Sequence, residues 1–165
     1  DGVENLILDL RDNGGGDPVL AARLFAYIAH KPEIYFEVCD GYEMLKSPVE
    51  LAENHFSGNI FTVINGGGFS TAGHIVALIK YHNNGTIIGS ELGCTYTCND
   101  SAVNVVLEHT GNLARIARAT YAVAVKDMKA DQGVLPDHPV AFSVQDLVNG
   151  VDSEMEFTFD LIRQD

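Results

Sequence analysis

The apolar positions of the chain fall in short runs broken by glycine-rich turns, and the runs alternate between two kinds. Leu6-Ile7-Leu8-Asp9-Leu10 is nearly continuous and of strand length, the pattern of a buried strand. It ends in Arg11-Asp12-Asn13-Gly14-Gly15-Gly16, where three glycines free the backbone for a tight turn. Asp17 then offers an N-cap and Pro18 a first helical position. The spacing predicts a helix from Val19 to Ile28, with Leu20, Leu24 and Ile28 along one face. The same sequence of events recurs. Asn59 to Ile64 is an apolar strand, Asn65-Gly66-Gly67-Gly68 a glycine turn, and Thr71 to His82 a helix. Asn83-Asn84-Gly85 is a C-cap signal, and Thr86 to Gly89 the next strand.

The rest is less regular. Lys31 to Gly58 mixes one strand-like piece, Ile34 to Val38, with polar segments that are looping or partly helical. After a polar loop, Val103 to Leu107 and Ala117 to Val125 read as strands, and Asp131 to Pro139 as a turn-rich loop. Val151 to Arg163 mixes acidic and apolar residues without declaring an element. Strand, glycine turn and helix, repeated, predict an α/β fold. No low-complexity segment divides the chain, so residues 1–165 read as one domain.

Composition narrows the partners. The chain has 165 residues, 46% hydrophobic and 20% charged, enough for one packed core. Its net charge of -13, from 23 acidic and 10 basic residues, repels phosphate backbones and anionic lipid heads, so nucleic acid is excluded as an expected partner. No apolar stretch approaches the roughly 20 residues of a membrane span. The opening Asp1-Gly2-Val3-Glu4, without Met or signal peptide, reads as a core excised from a longer protein that lacks its N-terminal segment. The cysteines Cys39, Cys94 and Cys98 are odd in number and form no C-x-x-C pair, which argues against structural zinc; no metal and no cofactor is expected. Cys94 and Cys98 are close enough in sequence for a loop disulfide or for two free thiols, and both readings stay open.

The glycine turns pose the question of phosphate. The first lacks the Lys-Ser/Thr of a P-loop and the G-x-G-x-x-G spacing of a dinucleotide fold. Two such turns, each closing a strand and opening a helix, suit another task. Backbone N–H groups at a helix start can hold a developing oxyanion, and glycine lets a substrate carbonyl approach. The second turn carries a serine just inside it: Gly68-Phe69-Ser70-Thr71-Ala72-Gly73. There Ser70 is either a helix N-cap or a nucleophile projecting from the end of the sheet, beside the N–H of Thr71. The segment is not G-x-S-x-G, so an α/β-hydrolase does not follow.

Taken in order, these segments resemble the C-terminal-processing (tail-specific) peptidases of family S41. The run from Leu6 to Gly16 is similar to that family's strand-plus-glycine signature. Phe69-Ser70-Thr71-Ala72-Gly73, its helix and Thr86-Ile87-Ile88-Gly89-Ser90-Glu91 resemble the nucleophile segment and following strand. Gln132-Gly133-Val134-Leu135-Pro136-Asp137 resembles the late Gly-Val-x-Pro-Asp segment. The resemblance implies strand–turn–helix repeats of the ClpP/crotonase-like type around a mixed sheet. It departs in one place: Ser90-Glu91-Leu92-Gly93-Cys94-Thr95 lacks the lysine of the Ser-Lys branch, so the chain looks closer to the tricorn-like branch that pairs serine with histidine.

What the resemblance implies for mechanism is hydrolysis of peptide bonds in unfolded proteins or C-terminal tails, through an acyl-enzyme on Ser70. The N–H of Thr71, with one from Gly15 or Gly16, would hold the oxyanion. The base would be a histidine from a segment N-terminal to this core, and Asp131 the carboxylate that orients it, which leaves the isolated piece inactive. His74, four residues after Ser70, is the one local alternative, on a poor line for proton removal. Lys80 and His82 read as ordinary surface residues, and His30, His55, His109 and His138 as solvated or structural groups. Expected partners are peptide substrate and the parent's other domains, with a homo-oligomer also open, and the expected location is outside the cytoplasm. A non-catalytic peptide- or apolar-ligand-binding module on the same fold is the alternative, and a crotonase-like acyl-CoA enzyme a weaker third.

Overall fold

A computed structural model describes residues 2–164. In chain order the elements are β1 (Asn5–Asp9), α1 (Pro18–Ile28), β2 (Glu33–Ile34), β3 (Phe36–Val38), β4 (Pro48–Val49), β5 (Asn59–Ile64), α2 (Thr71–His82) and β6 (Thr86–Gly89). They continue with β7 (Thr97–Asp100), β8 (Val103–Val106), β9 (Leu113–Ile116), β10 (Ala119–Val123), β11 (His138–Pro139), α3 (Val144–Asn149) and α4 (Ser153–Gln164). A 3-10 turn spans Glu43–Lys46.

Four parallel strands in the order β1-β5-β6-β11 form the central sheet, with Leu8 opposite Thr62 and Val63 opposite Ile88. The expected α/β fold is present, with parallel and antiparallel pairings segregated into separate sheets. The antiparallel sheets are β3-β10-β7, β2-β4 and the hairpin β8-β9. Parallel strands need crossovers, and the two strand–glycine turn–helix units supply them. Every residue of β5 from Ile60 to Ile64 is buried, so the sheet must be covered on both faces. Ile60 and Ile64 join the main core with Phe25, Ile28, Ile75, Val76, Leu78 and Ile79 of the two long helices. Phe61 and Val63 alternate away from that core, and α4 lies against β5 and β6.

The expected face of α1 needs correction. Leu20 is 64% exposed, Leu24 is half-buried and Ile28 is 2% exposed. Four residues turn an α-helix about 40° past a full revolution, so a line at spacing four winds from the surface into the core. The buried stripe is Ala21, Ala22, Phe25, Ala26 and Ile28, and its small side chains let α1 approach α2 closely. The strand expected from Ile34 to Val38 is two strands, β2 and β3, which join different sheets. The polar stretch Thr97–Asp100 is a strand, and the undeclared segment after Val151 is the helix α4.

Arg11 fastens α4 to the first glycine turn. Its guanidinium donates to both carboxylate oxygens of Asp152 (2.7 and 2.8 Å), to Glu154 (3.1 Å) and to Asp9 (2.7 and 3.0 Å). Glu154 is 1% exposed, so this ion pair is largely desolvated. The strand–turn register near the candidate site therefore depends on a helix more than 140 residues later in the chain.

Candidate active site

Two glycine turns meet at the carboxyl ends of β1 and β5. Asn65 stitches them: its Oδ1 accepts from the N–H of Asp12 (2.9 Å) and Gly67 (3.0 Å), and its Nδ2 donates to Asp12 Oδ1 (3.2 Å). The N–H of Phe69 donates to the Asn13 carbonyl (2.8 Å), and Thr71 Oγ1 donates to the Gly16 carbonyl (2.7 Å). The turns pack so tightly that a Cβ on Gly15 would lie 2.7 Å from Phe69 O and 2.8 Å from both Ser70 Cβ and Thr71 N. Gly15 also has φ +87°, so both space and conformation call for glycine there.

Ser70 stands at the N-cap position of α2, yet its side chain makes no capping hydrogen bond. Its φ of 56° and ψ of -122° lie outside every region comfortable for a residue with a Cβ. This removes the N-cap alternative, because a capping serine adopts extended backbone and bonds back to the helix. Ser70 lines a cleft of about 640 Å³, together with Gly16, Thr71, His74 and Cys98. Such outliers cluster at functional sites because only a well-tied surround can hold them.

The two candidate glycines differ. The N–H of Gly15 donates to Asn13 Oδ1 (2.9 Å). The N–H of Gly16, which lines the cleft beside Thr71, has no such acceptor among the described residues.

His74 is buried, 1% exposed, one helical turn from Ser70. Its Nε2 lies 3.5 Å from Cys98 Sγ, while Nδ1 is buried with no partner among the described residues. Phe36 and Tyr35 meet its ring edge-on at centroid distances of 5.3 and 6.4 Å. Burial alone lowers its pKa to about 4, so the imidazole is neutral at neutral pH. His74, which the sequence offered only as a local alternative to an outside base, thus has its Nε2 on a thiol and not on the serine hydroxyl.

Asp131 is exposed on the turn before Gln132 and is not among the cleft-lining residues. The carboxylates that do line the cleft are Asp17, which caps α1 through the N–H of Val19 (2.8 Å), and Asp100, which pairs with Arg115 (2.8 Å). The late motif has a structural task. Asp137 accepts from Lys80 Nζ (2.7 Å) and from the N–H of Ile87 (2.9 Å), and the N–H of Gly133 donates to Glu91 Oε1 (2.9 Å). Lys80 is thereby an ion-pair partner, and His82, mostly buried, meets Glu33 at 3.1 Å. Both were expected to be ordinary surface groups.

Sequence reasoning missed the far wall of the cleft, where Cys98 and Asp100 of β7, Arg115 of β9, Arg118 just before β10 and Tyr121 of β10 converge. The signal was the segment Thr97-Cys98-Asn99-Asp100, whose pairing with β10 makes it a strand. All three cysteines are free thiols, so the structure takes the open disulfide question to the unpaired side.

Residues 1–140 match the sequence pattern described as peptidase family S41. No curated protein matches the chain. Among solved structures, the chain is similar to a candidate peptidase from Parabacteroides merdae ATCC 43184 (TM-score 0.69, 18% identity, 96% of this chain and 51% of that one). It is also similar to the photosystem II D1 C-terminal processing protease (TM-score 0.59, 21% identity, 84% and 35%). A third is mature CPAF in complex with lactacystin (TM-score 0.74, 13% identity, 99% and 45%). At these identities the likeness is one of fold. The chain spans about half the length of these structures or less.

Proposed function

Because the chain belongs to peptidase family S41, we propose that it is a serine endopeptidase core that hydrolyses peptide bonds in unfolded proteins or C-terminal tails. The observation that carries this reading is the strained backbone of Ser70, held by a second glycine turn and open to a cleft. Ser70 Oγ attacks the scissile carbonyl and forms an acyl-enzyme, and water releases it. The N–H groups of Thr71 and Gly16 receive the oxyanion. Each such donor is worth roughly 3 kcal/mol of the barrier. The proton acceptor in this reading is a histidine from outside this stretch, as the tricorn-like pairing of serine with histidine implies. Asp131 orients that base where the base reaches the exposed turn it occupies.

Extended peptide binding along a sheet edge fits the short strands that rim the cleft. An extracytoplasmic location is part of the proposal; a lipoprotein from Streptococcus agalactiae is among the proteins of this fold, and no described helix is long and apolar enough to cross a membrane. Homo-oligomers and contacts with further domains of the same protein remain within the proposal.

The test uses the intact protein and its Ser70→Ala variant, each with an unfolded protein substrate and a fluorophosphonate probe. Cleavage and labelling that vanish in the variant establish the serine peptidase. A folded protein that neither cuts nor labels makes this a peptide- or ligand-binding module.

A further inference from the structure

Peptide hydrolysis at Ser70 leaves one reactive group in the cleft without a task. Cys98 Sγ lines the same cleft as Ser70 and lies 3.5 Å from Nε2 of His74. Burial raises the pKa of this thiol, and the neighbouring Ser70 hydroxyl opposes that rise only in part. His74 is a nine-tenths-buried imidazole that also lines the cleft, and its other nitrogen has no partner among the described residues. Burying an imidazole nitrogen without a partner costs stability, and a chemical role is one reason a fold keeps such a group. A thiol within reach of a fixed imidazole is the arrangement of an activated sulfur nucleophile.

We propose that Cys98, with His74 as its base, is a covalent acceptor for small-molecule disulfides, and that the resulting adduct closes the cleft at Ser70. The covalent half stands by itself, and the blocking half rests on the peptidase reading. The step balances without an external oxidant. The Cys98 S–H proton passes to His74 Nε2 as the sulfur attacks one sulfur of the incoming disulfide. The incoming S–S bond breaks and a new one forms to Cys98. The departing thiolate takes the proton back from His74 and leaves as a thiol, so Cys98 is oxidised and half of the small disulfide is reduced. At rest both partners are neutral, so the proton moves only as the new sulfur–sulfur bond forms.

The other thiols lack this partner. Cys94 points its sulfur at the Ser70 carbonyl (3.9 Å), and burial pushes its pKa up to about 11. Cys39 lies outside the cleft, and the Glu43 carboxylate beside it further disfavours its thiolate.

The experiment treats the intact protein with 2-hydroxyethyl disulfide and maps the three cysteines by mass spectrometry over time, in wild type and in His74→Phe. Fluorophosphonate labelling of Ser70 is followed in parallel. Cys98 should acquire the adduct about tenfold faster than Cys94 or Cys39, and about tenfold more slowly in His74→Phe. Ser70 labelling should fall in proportion to the adduct and return with dithiothreitol. In Cys98→Ser, treatment should remove none of whatever labelling the untreated variant shows. Faster modification of Cys94 or Cys39, or an unchanged Cys98 rate in His74→Phe, overturns the covalent half. Full Ser70 labelling on a fully modified Cys98 overturns the blocking half. A protein whose Ser70 never labels, treated or not, defeats the peptidase reading and leaves the cysteine map to decide the covalent half. If His74→Phe does not fold, His74→Gln makes the same comparison.

Discussion

The strain at Ser70 can be measured by removing the side chain in two ways. A residue with a Cβ held at φ 56°, ψ -122° stores on the order of 1–3 kcal/mol, since this region belongs essentially to glycine. Ser70→Ala deletes the hydroxyl and keeps the Cβ. The hydroxyl makes no capping bond, so alanine should change stability by only about 0.5 kcal/mol in either direction. Ser70→Gly deletes the Cβ as well and releases the strain. It also loosens the unfolded chain, which takes back about 0.4–1 kcal/mol. The balance leaves Ser70→Gly more stable than Ser70→Ala by about 1 kcal/mol, whereas glycine is the less stable of the two at an unstrained site.

The assay is chemical denaturation of the intact protein and both variants under one set of conditions, with midpoints compared at a common slope. An advantage of about 1 kcal/mol corresponds to roughly 2–4 °C in melting temperature for a domain of this size. Both variants lose the nucleophile, so neither takes up the fluorophosphonate probe. A wild type less stable than its inactive glycine variant would mean that the corner is held at a cost to the fold. Glycine equal to or below alanine would refute the reasoning, because the turn would then accommodate a Cβ without strain.

Three further outcomes follow from the same contacts. Arg11→Ala strands the carboxylate of Glu154 in the interior and should destabilise by about 3–5 kcal/mol at neutral pH. Burial already raises the Glu154 pKa, with Arg11 opposing it, so the deficit should shrink as pH falls toward the ordinary carboxylate range; denaturation at two pH values checks both sign and size. His74→Phe removes a buried nitrogen without a partner and should be neutral or stabilising at neutral pH. It should also abolish about 3 kcal/mol of acid sensitivity that wild type shows between the ordinary histidine range and a pKa of about 4, read as the stability difference between the two proteins on acidification. Gly15→Ala, which drives a methyl against Ser70 and Thr71 N, should slow fluorophosphonate labelling about 100-fold, while circular dichroism remains that of the folded protein.

The segments that the sequence made legible are those whose apolar pattern and punctuation agree. Asn59–Ile64, Thr71–His82 and Thr86–Gly89 match the structure to the residue, because a continuous apolar strand, a glycine turn and an Asn-Gly stop each allow one reading. Asn83 shows the mechanism: at φ 52° it ends α2 in the left-handed conformation that asparagine tolerates. What could not be read was settled by distant partners. Thr97–Asp100 is polar and short, and it is a strand because Ala119–Ala122 pairs with it. Ser153–Gln164 carries Glu154 into the interior, which pattern alone forbids, and Arg11 at the other end of the chain makes it possible.

The candidate site divides along the same line, and the division has a physical origin. Everything local to the two glycine turns, including Ser70, Thr71 and Gly16, sits within a few residues of a strong turn signal, so its placement follows from chain direction and helix start. The opposite wall is built by β7, the β8-β9 hairpin and β10; β10 was legible as a strand, but the segments of Cys98 and Arg115 have weak intrinsic preference, and no local signal sends Cys98, Arg115 or Tyr121 to the cleft. Their positions are fixed by pairing, and pairing partners lie some twenty residues apart in sequence. His74 joins the two walls. Its helix position was evident from spacing, but its ring turns to Cys98 because Phe36 and Tyr35 pack edge-on against it. Those packing contacts come from β3 and the residue before it, a stretch read as part of one strand. A local signal thus fixes where a candidate nucleophile stands, while the tertiary packing of weakly patterned segments decides which group it faces.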